Sequence, residues 1–481
     1  MLEHILRRMG FGAGPAELAV WSAMPIEAVI DRLLNFESLP ADHDSKIGLA
    51  EYAGITTQSG QPFSPNTLIN DARQRWLFRM IHSQRPLEEK MALFWHNHFA
   101  TAYSKINGGA GQPRATRMMD NDPASLAGSE PGMIQKLRTY GTGSFAALLW
   151  EMAKDPAMIF WLDSQLNTRT RPQENFGREI MELFSLGIGN YTEQDVYAAA
   201  RVFTGFNWQL AGDRADTAGS WYSYRYVPND HDTTEKTFTF AIYPDGGKTI
   251  PSRSAAAGEQ DALDFVLALV RHPATGRRLA TRLYKFFVSE TAAPDEALLS
   301  QMSNAYLGSN YNIKAVLRTL FLSPQFRDPA NFYQRYSWPA EFVVKAIKET
   351  GWTGFSVQEA LTPLVNMGQQ LYEPPDVNGW ETGPGWISTS SMLSRMNFAS
   401  ALARNQRFNL ARDAQPYRET PERLLEYLLA RFRTMGYPAS ATTAMIEYLR
   451  STPWTGADEQ LQQRVPGLTR LIVGSGEYQF N

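Results

Sequence analysis

The chain of 481 residues is 43% hydrophobic and 20% charged, with a net charge of −3, the balance of a water-soluble globular protein. Its interspersed charges leave no electrostatic footprint for nucleic acid, and no apolar run reaches the length of a membrane span. The absence of cysteine excludes disulfides, thiolate metal sites and a cysteine nucleophile.

In chain order, Met1-Leu2-Glu3-His4-Ile5-Leu6-Arg7-Arg8 holds an acid and two arginines but no apolar h-region. No signal peptide is visible, and on sequence alone the location reads as cytoplasmic. Up to about residue 165 the reading is helical. Pro15-Ala16-Glu17-Leu18 and Pro25-Ile26-Glu27-Ala28 are helix starts, with proline early and glutamate in the first turn. Residues 41–66 are polar and predict a loop; a helix over about 66–82 follows, with Leu68, Ala72, Trp76, Phe78 and Met80 as apolar positions.

The next helix starts at Pro86 and carries His96-Asn97-His98. Side chains two residues apart on a helix point about 200° apart. Both histidines reach one ion only where the helix ends or bends. The pair is therefore structural, or one member is a ligand, a proton carrier or a substrate contact. Residues 104–131, rich in Gly, Ser, Asp and Pro, predict a long loop, and helices resume at about 131–140 and 142–152.

A polar connector, Ser164-Gln165-Leu166-Asn167-Thr168, leads to the stretch from Arg171 to Gly187. Pro172 and Glu174 mark its first helical turn and Gly187 its stop. Phe176, Ile180, Leu183 and Phe184 recur at helical spacing and face a core. Asn175, Glu179 and Glu182 share a second, polar face, and Arg178 lies four residues before Glu182, placed to pair with it. Such a helix is either the wall of a site or an ordinary amphipathic surface helix. Thr192 caps the next helix, with Asp195 at the box position, and that helix ends at Gly205.

From Trp208 to about Pro251 the period changes. Trp221 to Val227 and Thr237 to Ile242 read as two strands of a β-hairpin whose connection presents His231 and Asp232. That pair is either turn chemistry or an oriented imidazole. Helices return at about 258–271, 273–289, 294–307, 312–322 and 336–350. The Pro- and Gly-rich stretch over 371–388 predicts a stiff loop holding Asp376, Trp380 and Trp386. It is either packed over the helices by its tryptophans or forms the wall of a cleft. Helices with Arg395 and at about 421–434, 439–450 and 457–474 close the chain. The expected fold is mainly α: one large multi-helix body over 1–481 with a small β insertion at about 208–251.

Several of these motifs carry a resemblance. Ile5-Leu6-Arg7-Arg8-Met9-Gly10-Phe11-Gly12, Phe94-Trp95-His96-Asn97-His98-Phe99 and the helix from Glu174 to Gly187 belong to it. So do Thr192-Glu193-Gln194-Asp195-Val196, His231-Asp232 with Lys236, His272-Pro273, and Pro374-Pro375-Asp376-Val377-Asn378-Gly379-Trp380. Together, in this order along nearly the whole chain, they resemble the bacterial domain-of-unknown-function family numbered 1800. The resemblance implies no particular reaction. Members often carry export leaders and lie beside alkaline-phosphatase-like or sulfatase-like genes, which implies exported, periplasmic work on the envelope or on polysaccharide.

Function is read in three ways. The first is a hydrolase on a polysaccharide, glycosidase-like, for which two carboxyls must stand about 5–5.5 Å or 6.5–9.5 Å apart. Glu179, Glu182, His231, Asp232 and Asp376 are then the catalytic candidates. The substrate contacts are His96, His98, Asn167, Asn175, Arg178, Trp208, Trp380, Trp386 and Arg395. The second is an enzyme with a divalent metal held by one of His96 or His98, by Glu179 or Glu182, and by His231 or Asp232. The third is a non-catalytic scaffold or binding protein. No phosphate-binding glycine loop and no Gly-x-Ser-x-Gly elbow are present. The implied ligand is a carbohydrate; nucleic acid is not expected.

Overall fold

A computed structural model describes residues 1–432 and 436–481. The chain is mainly α, with 24 α-helices and two small two-stranded antiparallel sheets among the described residues. One apolar core runs from Ile5 to Tyr478. No helix among the described residues is long and apolar enough to cross a membrane.

Local signals set most helix limits. The Glu17 carboxylate accepts from the Gly14 N–H at 2.7 Å and fixes the start of Pro15–Ser22. Thr192 Oγ1 accepts from the Asp195 N–H at 3.3 Å while the Asp195 carboxylate accepts from the Thr192 N–H at 2.8 Å. This reciprocal box opens Glu193–Val202. The central helix Glu174–Glu182 buries Phe176 and Ile180, with Phe184 just beyond; Leu183 is half-buried. Gly187, at φ +83°, donates to the Met181 carbonyl at 3.0 Å and closes the helix end.

The helices Ile69–His82, Pro86–His98 and Pro339–Thr350 form the middle of the molecule and are buried nearly all round. They carry charged residues into the interior, where those residues pair. Arg75 reaches Asp120 at 2.9 Å, Arg138 reaches Asp120 at 3.3 Å and Glu89 at 3.0 Å, and Lys90 and Arg335 share Glu341.

Several expectations are corrected. Residues 104–131 are not one loop: Tyr103–Ala110 and Gln112–Asp120 are helices. Gly108 and Gly109 lie within the first helix, and Gly111, at φ +80°, is the joint between the two. Gln358–Asn366 and Arg407–Ala414 are further helices outside the expected set. The helix expected over 421–434 is observed as Pro421–Phe432, and positions 433–434 lie outside the described residues.

The expected β-hairpin also pairs differently. Trp221–Tyr226 pairs with the preceding strand Phe206–Ala211, in the register Trp208 opposite Tyr224, and not with 237–242. An aromatic ladder drives that choice. Trp208 meets Tyr222 edge-on at 4.7 Å, while Phe206 meets Tyr224 at 5.4 Å. Lys236–Thr237 instead forms a short ribbon with Thr249–Ile250. His231 therefore lies on no exposed hairpin tip; it is fully buried beside Asp261 at 3.3 Å.

Candidate functional site

The last turn of Pro86–His98, the end of Pro273–Phe287 and the loop over 371–388 enclose a cavity of about 330 Å³. Phe94, Phe286, Trp338 and Trp380 supply its apolar wall, and Asn97, Asn378, Arg282, Lys285, Glu290 and Glu381 its polar groups. Polar and charged groups that converge against aromatic rings make this a candidate small-ligand site.

The loop takes its shape from three contacts. Asp376 accepts the Asn378 N–H at 2.7 Å, and its carbonyl accepts the Gly379 N–H at 3.2 Å, which makes a tight turn. Gly379 sits at φ +89°, and a Cβ there would collide with both the side-chain and backbone oxygens of Asn97. Asn97 Oδ1 then accepts the Trp380 N–H at 2.6 Å and pins the indole to the helix. Trp380 stands edge-on to His96 at 5.3 Å; Trp386 lies at 5.8 Å from Trp338, which meets Phe286 at 5.1 Å.

The charges around the cavity are left open. Arg282 makes no hydrogen bond, ion pair or ring contact among the described residues, and burial together with the neighbouring Arg278 lowers its pKa to about 10. Arg278 is occupied by the Leu183 carbonyl at 3.1 Å. Glu290 accepts the Trp338 indole N–H through Oε1 at 3.1 Å, while its Oε2 is buried with no hydrogen-bond partner among the described residues. The buried Arg8 feels the Glu290 charge, but no hydrogen bond joins them. Glu381 and Lys285 lie exposed on the rim.

Of the sequence candidates, Trp380 lines the cavity, and His96 and Trp386 pack behind that wall. Both indoles are buried, so the loop is held down by its tryptophans as well as walling the cleft. Asp376 is exposed and serves the turn. Glu179 and Glu182 are not among the cavity's lining residues. Burial first, then the charge of Glu182, pushes the Glu179 carboxyl above its ordinary value. Glu182 accepts the Tyr191 hydroxyl. Arg178 does not pair with Glu182; it takes Glu193 at 2.8 Å and Glu174 at 3.3 Å, because the next helix brings Glu193 within reach. Asn175 is exposed.

The remaining candidates are structural in their contacts. Asn167 ties the Ala200 carbonyl at 2.8 Å to the Gln173 N–H at 2.9 Å. Trp208 stacks on Phe160 at 4.8 Å. Arg395, fully buried, donates to Gln479 and to the Ser337 carbonyl, each at 3.0 Å. Burial opposes ionisation of Asp232, but its hydrogen bond from Arg201 at 2.8 Å holds its pKa down to about 2. His231 shares Asp261 with Lys236, whose bond to it is 2.6 Å.

The ligand set expected for a metal is not assembled. His96 faces Trp76, Tyr372 and Trp380, with neither ring nitrogen hydrogen-bonded, and burial lowers its pKa to about 3. His98 meets the Phe184 carbonyl at 3.0 Å. Among the described residues, no three His, Asp or Glu side chains are grouped to hold an ion.

Sequence reasoning missed Asn97, Arg282, Lys285, Glu290 and Trp338. Arg278, Arg282 and Lys285 recur at i, i+4 and i+7 on one helix, a stripe that reads as a solvated face until the loop folds over it. Asn97, between two histidines, drew less notice than they did.

Over residues 4–480 the sequence matches the family described as "Protein of unknown function (DUF1800)", and the chain belongs to that family. No curated protein and no solved structure matches it.

Proposed function

We propose that this chain is a hydrolase acting on a polysaccharide, with the cleft beneath Trp380 as its working site. One observation carries the reading: two carboxylates without salt bridges, Glu290 and Glu381, line the same aromatic-walled cavity. Other buried acids are met by the protein itself: Glu89, Asp120 and Glu341 by cations, and Asp195 by hydroxyl and backbone donors. Charges that a fold leaves unmatched in a cleft are candidates for chemistry.

Hydrolysis of a glycosidic bond requires one carboxyl to protonate the leaving oxygen and an ionised partner to act on the anomeric carbon, directly or through water. We assign the ionised role to Glu290, whose Oε1 is held in place by the Trp338 N–H. We assign the acid role to Glu381, which lies exposed on the rim of the same cavity. The C–O bond breaks as Glu381 releases its proton to the leaving oxygen. The proton of the attacking water returns to a carboxylate. Asn97 and Asn378 are placed to meet sugar hydroxyls.

The test is release of reducing ends from a panel of neutral and acidic polysaccharides. Glu290→Gln and Glu381→Gln should each lower the rate by about 10²- to 10⁴-fold, the range of acid–base catalysis, while Glu179→Gln leaves it unchanged. Cleavage that survives in both cleft variants would remove Glu290 and Glu381 from the reaction. No cleavage across the panel would sink the hydrolase reading.

A further inference from the structure

We infer that the cleft takes a ligand bearing a carboxylate or sulfate group, and that Arg282 receives that group. The inference deepens the carbohydrate reading above and rests on the same cleft, but it concerns recognition and not cleavage.

Among the described residues, each fully buried arginine elsewhere donates to at least one protein oxygen. Arg7 has Glu349 at 2.9 Å, Arg138 has Glu89 at 3.0 Å, and Arg335 has Glu341 at 2.6 Å. Where no carboxylate is at hand, backbone or amide oxygens serve, as for Arg8 with the Asn331 carbonyl and Arg395 with Gln479, each at 3.0 Å. Arg282, half-buried in the cavity wall, has none of these. Helical spacing places Arg278 one turn away, and Arg278 is already engaged by the Leu183 carbonyl. A half-buried guanidinium beside a like charge is stabilised when an anion joins it.

The cavity itself cannot supply that anion. Glu290 spends one oxygen on Trp338 and makes no contact with Arg282, and Glu381 lies on the rim without a partner. Several of the remaining polar groups are unused donors. Asn97 uses its Oδ1 on Trp380, which leaves its amide N–H₂ unbonded among the described residues. Trp380 Nε1 is buried without a hydrogen-bond partner among the described residues, and Lys285 stands on the rim. Unused donors beside an unmatched guanidinium fit an acceptor-only anionic group taken in bidentate fashion at Arg282, away from the Glu381 rim. Uronate carboxylates and sugar sulfates both have that chemistry; the hydroxyls of a neutral sugar do not.

The test is direct binding, by calorimetry, of three oligosaccharides to the full chain: a uronate oligomer, its carboxyl-reduced counterpart and a sulfated oligomer. The wild type should bind one of the acidic oligomers roughly tenfold to a hundredfold tighter than the reduced one, the worth of one charge-assisted contact. Arg282→Gln should erase that preference while leaving affinity for the reduced oligomer intact, and Arg282→Lys should keep part of it. Equal binding of acidic and reduced oligomers by the wild type, or a preference that survives in Arg282→Gln, overturns the inference. A parallel thermal-shift titration with inorganic sulfate separates the two proposals. Sulfate stabilisation that needs Arg282, with no oligosaccharide bound, keeps the anion site and removes the carbohydrate; no response to either removes both. Acidic oligomers that bind but are never cleaved leave the inference standing and count against hydrolysis alone.

Discussion

Two charged regions of this molecule are built in opposite ways. Around Asp120, Arg75 and Arg138 converge on one carboxylate, Glu89 takes the other side of Arg138 at 3.0 Å, and the Tyr372 hydroxyl donates to Asp120 at 2.9 Å. Around the cleft, Arg282, Lys285, Glu290 and Glu381 share a cavity without pairing. A chain of rings joins the regions: Tyr372 packs on Trp76, both pack on His96, and His96 on Trp380. The first region is complete within the protein. The second leaves its charges unpaired among the described residues, and on the proposed reading a ligand completes it.

Neutralising one member from each region is the strongest test of that contrast. Asp120→Asn leaves Arg75 without its carboxylate and Arg138 with one partner instead of two, all fully buried. Breaking such a network costs about 3–5 kcal/mol, and urea unfolding should show a loss of that size. Arg282→Gln should not destabilise the unliganded protein, because it removes an unmatched charge. If the two variants lose equal stability, Arg282 has a structural partner and the contrast fails.

A smaller effect is expected at the joint between the regions. Burial lowers the pKa of His96 to about 3, against about 6.5 in an unfolded chain. A base whose folded pKa is depressed contributes full stability above the unfolded value and loses it as pH falls below about 6.5 toward 3. The slope is up to about 1.4 kcal/mol per pH unit for one such histidine. His96→Leu should therefore flatten the stability profile between pH 6 and 4 by about that amount. An unchanged slope would mean that His96 already titrates normally in the folded chain. His98 and His82 are depressed by burial as well, so the protein keeps some acid sensitivity in the variant.

The helical body was legible because its signals are local. Prolines at first turns, the Thr192 box and the glycine at 187 act within a few residues of the ends they set. The strand pairing was not, because 206–211 is chosen over 237–242 by cross-strand rings that only the folded register brings together. The same holds for the site. Trp380 stood out by residue type and does line the cleft, whereas Arg282 reads as one charge in a solvated stripe until the loop over 371–388 covers it. Glu179 and Glu182 drew attention through spacing, but their face turns to Tyr191 and solvent and not to the cavity. Which charges lack partners is a property of the whole fold, and no window of sequence contains it.

The weakest expected effect lies on the rim of the open region. Lys285 is exposed and makes no ion pair among the described residues, so its charge acts on a ligand mostly through water. Exposed charges interact by well under about 1 kcal/mol and are screened by salt. Lys285→Gln should thus weaken binding of an acidic oligosaccharide only about two- to threefold at low salt, and less at high salt. Arg282, desolvated in the wall, should keep most of its effect as salt rises, because buried pairs are screened far less. Measuring affinity for both variants from low to high ionic strength separates the two cations. Parallel loss with salt in both would place Arg282 in bulk solvent, and the cleft would then differ from the Asp120 cluster in exposure alone.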